Sequence, residues 1–535
     1  MNIPFSNGLH CSIPSPSFGE ILHQESMSEV CHIIRMEQVS ATDFDHYAGS
    51  FPSQGFAKAA QYSLGPSHFY IFTTDKLAVF LTYFPETQQL RIVCEEDTMY
   101  LRFLTPSGIA DFSCDEGTPC QPMLTQIDLE DFGLSYLIRL ADGRFIIFDG
   151  GWDFAPDADK LMTALQKQSP THTPRIAAWI FTHPHEDHYP CFSTFCEKYS
   201  GDVEIEAILY SFPPMAGETL ENFPGLNNER ELERLRLFED WISKIGAPVI
   251  RPHTGQVYKF GDVQLEILSS PDDICRYPAD VNTLSLITRM TICGQSILFC
   301  ADGLFEEVQF SQRYGAYLKS DILQLTHHGF NGGSEECYRL IDPAVCLVPS
   351  NERTFLRYMG YFNSYNRALI YDMNVQDFLI GGQPQVHLYP QKTADSNIVL
   401  PLPYTPRPNG RQLIMERTHE IQRQMGGNSW FFGDMTWDKC KFSILNSVYP
   451  TATIYANLYF GERSKMTKHI KITVSGYSVK KIDFSNPDDI DGDALYYNLQ
   501  SLAKKGIPTD ETFCVHFLCD TPIVIWSDKE PAYVY

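Results

Sequence analysis

His183-Pro184-His185-Glu186-Asp187-His188 is the stretch on which the reading of this chain turns. Three imidazoles and one carboxylate stand at the spacing H-x-H-x-D-H. The residues before it, Arg175-Ile-Ala-Ala-Trp-Ile-Phe-Thr182, read as a buried strand, and a helix is expected from Pro190, a residue suited to a first helical turn. The motif therefore lies in a loop at the carboxyl end of a strand, where α/β proteins build their sites. Neutral imidazoles and carboxylates suit zinc, iron or manganese. A short loop can aim His183 and His185 at one point and Asp187 and His188 at a second one nearby, an arrangement for two ions sharing a hydroxide.

Composition bounds the rest. A chain of 535 residues is too long for one ordinary domain, and 43% hydrophobic residues are enough for substantial cores. The formal charge of −25 repels nucleic-acid phosphates, so stable duplex binding is not expected, although a cation site adds local positive charge. No apolar run approaches the roughly 18 residues of a membrane span. The start, Met1-Asn-Ile-Pro-Phe-Ser-Asn, lacks the features of a signal peptide. The 15 cysteines are scattered, with Cys191, Cys196, Cys293 and Cys300 inside apolar patterns, which reads as buried thiols in a reducing cytoplasm.

Three regions are expected. Residues 1–122 are β-rich, with two strands joined at Asp75-Lys76 and a third over Gln89–Cys94. Residues 123–402 alternate strand and helix: a hairpin around Asp142-Gly143, a helix over Asp153–Gln168, the strand before the motif, and a strand over Val203–Ser211. An amphipathic helix follows over Asn227–Ile245, with Leu232, Leu235, Leu237, Trp241 and Ile242 on its apolar face and Gly246 ending it. Strands paired around Gly261-Asp262 and Gly294-Gln295, a helix-like stretch near 305–318 and a strand over Ile322–Thr326 complete it. Residues 403–535 are a helix over Arg411–Met425 and a β-rich tail. Sheets covered by helices on their outer faces are the expected α/β architecture.

Four motifs in this order resemble the metallo-β-lactamase superfamily of hydrolases, over about half of the chain. They are Asp149 in Phe148-Asp-Gly-Gly151, the quartet His183, His185, Asp187 and His188, Asp302 in Cys300-Ala-Asp-Gly303, and His327 in Leu325-Thr-His-His-Gly329. The resemblance implies an αββα sandwich with β-rich N-terminal and C-terminal extensions. It also implies that Asp149 supports the metal loop, Asp302 bridges two ions and His327 closes the second ion's site. A third histidine for the first ion is missing ahead of Asp302. His253 falls one hairpin too early and reads as a loop or core histidine ahead of a ligand, which leaves Asp280 or Asn282 to assist. The pattern Asn282-x-x-Ser285-Leu286 with His327-His328-Gly329 is similar to the hydrolase domain of DNA-uptake competence proteins, a nuclease-like branch that also lacks that histidine.

The expected cofactors are one or two divalent ions, Zn2+ or Mn2+. A divalent ion lowers the pKa of bound water from about 15.7 toward 7 and stabilises the oxyanion that forms. Asp187 is then both ligand and proton acceptor, and His328 either donates to a substrate oxygen or supports His327. Glu186 is expected in solvent. The favoured substrate is a phosphodiester or phosphate ester; a carboxyl ester, lactone or lactam is the alternative, and a non-catalytic metal-binding scaffold is a third reading. Cys514-Val-His516-Phe-Leu-Cys519 reads as core packing, and Tyr358–Tyr365 as a candidate substrate wall.

Overall fold

The structure is a computed structural model. It describes residues 2–4, 10–96, 99–114, 116–213, 221–351, 355, 364–381, 397–416, 429–436, 440–446, 451–460, 467–476, 478–484, 512–519, 523–527 and 533–534. The expected Tyr358–Tyr365 wall, apart from its last two residues, and residues 417–425 of the helix expected over Arg411–Met425 lie outside them. The chain is mixed α/β with several sheets and divides into two compact units, residues 1–352 with 374–407, and residues 353–373 with 408–535.

The first unit opens with an antiparallel sheet. Its strands are β1 (Glu20–Ser28), β2 (Cys31–Glu37), β3 (Ala57–Leu64), β4 (Ser67–Thr73), β5 (Leu77–Phe84) and β6 (Gln89–Glu96), in the order β1-β2-β6-β5-β4-β3. Helix α1 (Ala41–Ser50) covers one face, its Ser40 hydroxyl accepting from Asp43 N. Strand β7 (Ile109–Asp111) pairs in parallel with a strand far along the chain.

Two larger sheets follow. The first has β8 (Met123–Gln126), β9 (Ser135–Arg139), β10 (Phe145–Asp149), β11 (Arg175–Ile180), β12 (Ile208–Leu209) and β13 (Val249–Ile250). Helices α2 (Ala155–Gln168), α3 (Cys191–Tyr199) and α4 (Glu229–Ile245) alternate with these strands. The second has β14 (Val257–Phe260), β15 (Val263–Ser269), β16 (Ile287–Ile292), β17 (Gln295–Phe299), β18 (Ile322–Gln324), β19 (Val345–Asn351) and β20 (Asp377–Gly381), with helix α5 (Glu335–Ile341) between β18 and β19. Strand β21 (Ile398–Pro401) returns to pair with β8. The orders are β13-β12-β11-β10-β9-β8-β21 and β20-β19-β18-β17-β16-β15-β14-β7.

The two sheets share one core: Ile138, Ile146, Phe148 and Ile180 of the first are clustered with Leu265, Ile267, Met290, Ile297 and Phe299 of the second. Phe148 stacks on Phe299 with 4.4 Å between centroids. Each such buried side chain contributes about 2–3 kcal/mol through lost apolar exposure. Helices α2, α3 and α4 pack on the opposite face of the first sheet, against Ile147, Trp179 and Phe181. Helix α4 is capped by Asn228, whose side chain accepts from Glu231 N, and stops at Gly246 at φ 68°. Its buried stripe is Leu235, Phe238 and Ile242, whereas Leu237 is 48% exposed and stands outside it. The strand expected over 203–211 is two short pieces, Glu204–Ile205 and Ile208–Leu209, paired in turn with β11. Cys191, Cys196 and Cys300 are buried thiols; Cys293, in the β16–β17 turn, is exposed.

The second unit is β-rich. Strands β22 (Ser429–Met435), β23 (Lys441–Asn446), β24 (Thr451–Phe460), β25 (Thr467–Ser475), β26 (Ser478–Asp483), β27 (Phe513–Cys519), β28 (Val524–Ser527) and β29 (Tyr533–Val534) form sheets β25-β24-β27-β22-β29 and β26-β23-β28. They enclose a core of Phe432, Phe442, Ile454, Val515 and Phe517. Cys514 and His516 fall on the half-buried face of β27 and Cys519 is buried. Among the described residues no helix is long and apolar enough to cross a membrane.

Candidate metal centre

The centre lies at the carboxyl ends of β10, β11, β17 and β18. Parallel pairing of β10 with β11 and of β17 with β18 brings Asp149, the 183–188 loop, Asp302 and the His327-His328 pair to one edge of the two sheets. Asp149, Ala301, His327 and His328 all have positive φ, between 46° and 54°. Such strain in side-chain-bearing residues is held only where surrounding contacts demand it.

Asp149 organises the loop. Its Oδ1 accepts Thr182 N at 2.8 Å; its Oδ2 accepts the Thr182 hydroxyl at 2.6 Å and His188 Nδ1 at 2.8 Å. Gly150 N and Gly151 N both donate to His188 O, at 2.8 and 2.9 Å. Gly151, at φ 90°, leaves no room for a side chain, since a Cβ there would stand 2.7 Å from Leu129 Cδ1. Gly133 has a similar duty, its missing Cβ lying 2.7 Å from the Asp187 carbonyl oxygen.

The donor atoms fall into two adjoining groups. One atom each of Asp187, His188, Asp302 and His328 lie within 4.8 Å of one another, and so do those of His183, His185 and Asp302. These buried groups can hold a metal ion. In the first, His188 Nε2 is 3.3 Å from Asp302 Oδ1, and His328 Nε2 is 2.9 Å from Asp187 Oδ2 and 3.3 Å from Asp302 Oδ2. In the second, His183 Nε2 is 3.0 Å from His185 Nδ1 and 3.9 Å from Asp302 Oδ2. Asp302 thus belongs to both.

Tautomers are set from outside. The Pro349 carbonyl can only accept, so His328 Nδ1 donates to it at 3.0 Å and Nε2 faces inward. His188 is arranged likewise by Asp149. Burial and its neighbours His188 and His185 hold His183 well below the usual imidazole range. Burial also disfavours charge on His188, but Asp302, Asp187 and Asp149 outweigh it and raise that imidazole well above its usual range. Asp302 is opposed by burial too, yet His328, His188 and His327 bring it well below the carboxylate range. His188 Nε2, His328 Nε2 and Asp302 Oδ1 are buried with no hydrogen-bond partner. Lone pairs of imidazoles and carboxylates aimed at one another are costly unless a proton or a cation lies between them.

The histidine pair is ordered differently from the expectation. His328, read as a donor or support, has its donor atom in the group with Asp187, His188 and Asp302, while His327 does not. His327 Nε2 stands 3.6 Å from Asp302 Oδ2, and its side chain is 20% exposed. Both residues have left-handed backbone. His253 is not brought here; its Nδ1 is 3.0 Å from Asp272. Asp280 uses its side chain to cap Val281–Leu284 through Asn282 N, and its charge reaches His185. Ser285 Oγ accepts Asp302 N at 3.3 Å and Leu286 N donates to Thr182 O at 3.0 Å, so that stretch supports the centre from behind. Glu186, expected in solvent, has its side chain 44% exposed and also pairs with Arg234 at 2.9 Å.

Two features escaped the sequence reading. Gln324 is fully buried; its Oε1 accepts Cys300 N and Ala301 N, both at 2.7 Å, and its Nε2 donates to Leu325 O at 2.6 Å. It ties the turn carrying Asp302 to the turn carrying the histidines. A glutamine ending an otherwise apolar strand is the signal that marks it. Phe132 packs on His328 with centroids 5.5 Å apart, Phe330 packs on His327 at 5.8 Å, and Trp152 Nε1 donates to Phe132 O at 2.6 Å.

No protein-family model and no curated protein matches the chain. Among solved structures, the Anabaena sensory rhodopsin transducer aligns at 18% identity over 19% of this chain and 80% of its own, with a TM-score of 0.15. A Thermotoga maritima protein, 1070, aligns at 15% identity over 20% of this chain and 87% of its own, with a TM-score of 0.13. Likenesses at these scores carry no argument about fold or function.

Proposed function

We propose that the first unit is a metallo-β-lactamase-like αββα domain and that the protein is a metal-dependent hydrolase of phosphate esters or diesters. The observation that carries this reading is the set of buried, unpartnered atoms His188 Nε2, His328 Nε2 and Asp302 Oδ1. Asp187, His188, Asp302 and His328 would hold one ion. His183, His185 and Asp302 would hold the other, with His327 beside Asp302 in place of the missing third histidine. Imidazoles and carboxylates without sulfur accommodate zinc or manganese. A bound divalent ion supplies hydroxide at neutral pH by acidifying water and offers positive charge to the developing oxyanion.

The chain's own residues then have distinct duties. Asp149 and Pro349 keep His188 and His328 in the tautomer that leaves Nε2 free. Asp187 is the carboxylate best placed to accept the proton of the attacking water. Phe132 and Phe330 form an apolar wall beside the two histidines.

One observation favours a second reading, cleavage of a neutral carboxyl ester, lactone or lactam. The cleft lined by Gly133 and Pro349 also carries Asp128, Glu130 and Asp131, whose charge disfavours a polyanion. Protein loaded with zinc or manganese and assayed on a bis-aryl phosphate and on an aryl carboxylate ester separates the two. Turnover of the phosphate, abolished in His183→Ala, is expected. Turnover of the carboxylate alone would replace the first reading with the second. Turnover of neither, with chelation lowering only the melting temperature, would leave a metal-binding scaffold.

A further inference from the structure

A second group of donor atoms lies in the first unit, away from the candidate centre. Cys31 and Glu95 are direct partners across the antiparallel pair β2–β6, so their side chains share a face. His253, in the loop between β13 and β14, reaches the same point. One atom each of Cys31, Glu95 and His253 lie within 4.8 Å of one another, and His253 Nε2 is 3.5 Å from Glu95 Oε2. All three residues are buried, at 0%, 6% and 1% exposure.

The group has the features of a site with a vacant role for its polar atoms. Glu95 Oε2 and His253 Nε2 are buried without a hydrogen-bond partner. The far side of the imidazole is occupied, since Nδ1 lies 3.1 and 3.0 Å from the two Asp272 oxygens. Asp272 is itself fixed by Thr254 N at 3.2 Å. A histidine whose Nδ1 donates to a carboxylate, with Nε2 left to an ion, is the arrangement found around protein-bound zinc.

Charge balance agrees. Without an ion, a neutral thiol, an imidazolium and a carboxylate sum to zero. With a divalent ion, a thiolate, a neutral imidazole and a carboxylate also sum to zero. One dication replaces two protons, one from sulfur and one from Nε2, and the buried net charge is unchanged. Burial therefore does not oppose the exchange as it would oppose an added charge.

We propose that Cys31, Glu95 and His253 form a structural divalent-metal site, with zinc the ion best suited to a sulfur, nitrogen and oxygen donor set. Glu95 has two oxygens, enough to complete fourfold coordination. The ion would clip the N-terminal sheet to the loop that leads into β14. That loop is already touched by Thr82, whose hydroxyl donates to Thr254 O at 3.1 Å, and by Tyr62, whose hydroxyl donates to Gly255 O at 2.8 Å.

Cobalt substitution tests it in the full chain. The candidate hydrolytic centre has no sulfur donor, so thiolate-to-cobalt charge-transfer absorption reports cysteine ligation alone. The absorption is expected in the wild type and in His183→Ala. It should be lost in Cys31→Ser, with bound metal lower by one equivalent per chain. If Cys31→Ser does not fold, Glu95→Gln carries the test, with a cobalt affinity at least tenfold weaker expected. No charge-transfer absorption at saturating cobalt would overturn the proposal. So would absorption that persists in Cys31→Ser, or unchanged affinity in Glu95→Gln. Cys31 and His253 would then be a buried polar pair and nothing more.

Discussion

Asp149 Oδ2 accepts a 2.8 Å hydrogen bond from His188 Nδ1, and the opposite nitrogen of that ring is 3.3 Å from Asp302 Oδ1. The carboxylate can only accept, so a proton sits on Nδ1, and in the neutral ring that binds a cation the lone pair is on Nε2. Asp149→Asn keeps the volume but adds a donor. Its amide N–H can bond to Nδ1, which moves the ring proton to Nε2 and removes that lone pair. We expect metal affinity to fall 10- to 100-fold, as is usual for partners behind a ligand, with the circular dichroism spectrum unchanged. Metal titration with a competing chelator measures it; an affinity within twofold of wild type would show that the tautomer is held some other way.

His327 and His328 should separate in their effects. His328 is buried with its Nε2 beside both Asp187 and Asp302, whereas His327 is partly exposed and its Nε2 stands 3.6 Å from Asp302. His328→Ala should remove one equivalent of bound metal and reduce turnover by 100-fold or more, on the order of 3 kcal/mol in transition-state stabilisation. His327→Ala should retain the ion held by Asp187, His188, Asp302 and His328, and weaken the other. Metal counting on both variants decides it, and the opposite pattern would restore the order in which the two histidines were read from sequence.

Gln324 joins two strand ends through its amide. Gln324→Leu would leave Cys300 N and Ala301 N buried and unpaired, and each such group costs about 1–3 kcal/mol. The expected outcome is a destabilisation of about 2–6 kcal/mol, together with weaker metal binding, because Asp302 follows directly on that turn. Urea unfolding and metal titration on the same variant give both numbers. A loss of stability with unaltered metal affinity would make Gln324 a core residue with no hold on the site.

The site was legible from sequence to the extent that it is local. His183, His185, Asp187 and His188 lie in one short loop, and the apolar runs before Asp149, Asp302 and His327 mark parallel strands ending at a common edge. The places of His327 and His328 were not legible, because both residues have left-handed backbone, which is uncommon outside glycine and rarer still twice in succession. The pairing of the partly exposed Glu186 with Arg234 was not legible, because Arg234 is on a helix many residues away. The shift from Leu237 to Phe238 on α4 is a matter of phase: the buried stripe follows the sheet beneath it, and neighbouring apolar residues do not reveal which one faces inward. The group of Cys31, Glu95 and His253 joins three distant segments, and nothing in their spacing announces it.

Asp377 gives a prediction in pH. It begins β20, beside the strand that carries Pro349, and accepts bonds from Arg407 N at 3.0 Å, Arg407 Nη2 at 2.7 Å and Tyr404 OH at 2.8 Å. Burial acts to raise its pKa, but the bonds from Arg407 and Tyr404 outweigh it and hold the carboxyl below its ordinary value of 3.8. A carboxyl with a lower pKa in the folded than in the unfolded chain binds its proton more readily once unfolded. Its contribution is therefore complete above the unfolded value and declines as pH falls through the folded one. Asp377→Asn should cost about 2 kcal/mol at neutral pH, from lost charge-assisted hydrogen bonds. The gap between wild type and variant should stay constant down to about pH 5 and narrow below about pH 4. Urea midpoints of both proteins across that range measure it. A gap of constant size down to the lowest pH at which the wild type folds would mean that the Arg407 contacts do not favour the charged carboxylate, and that β20 is held in place by packing alone.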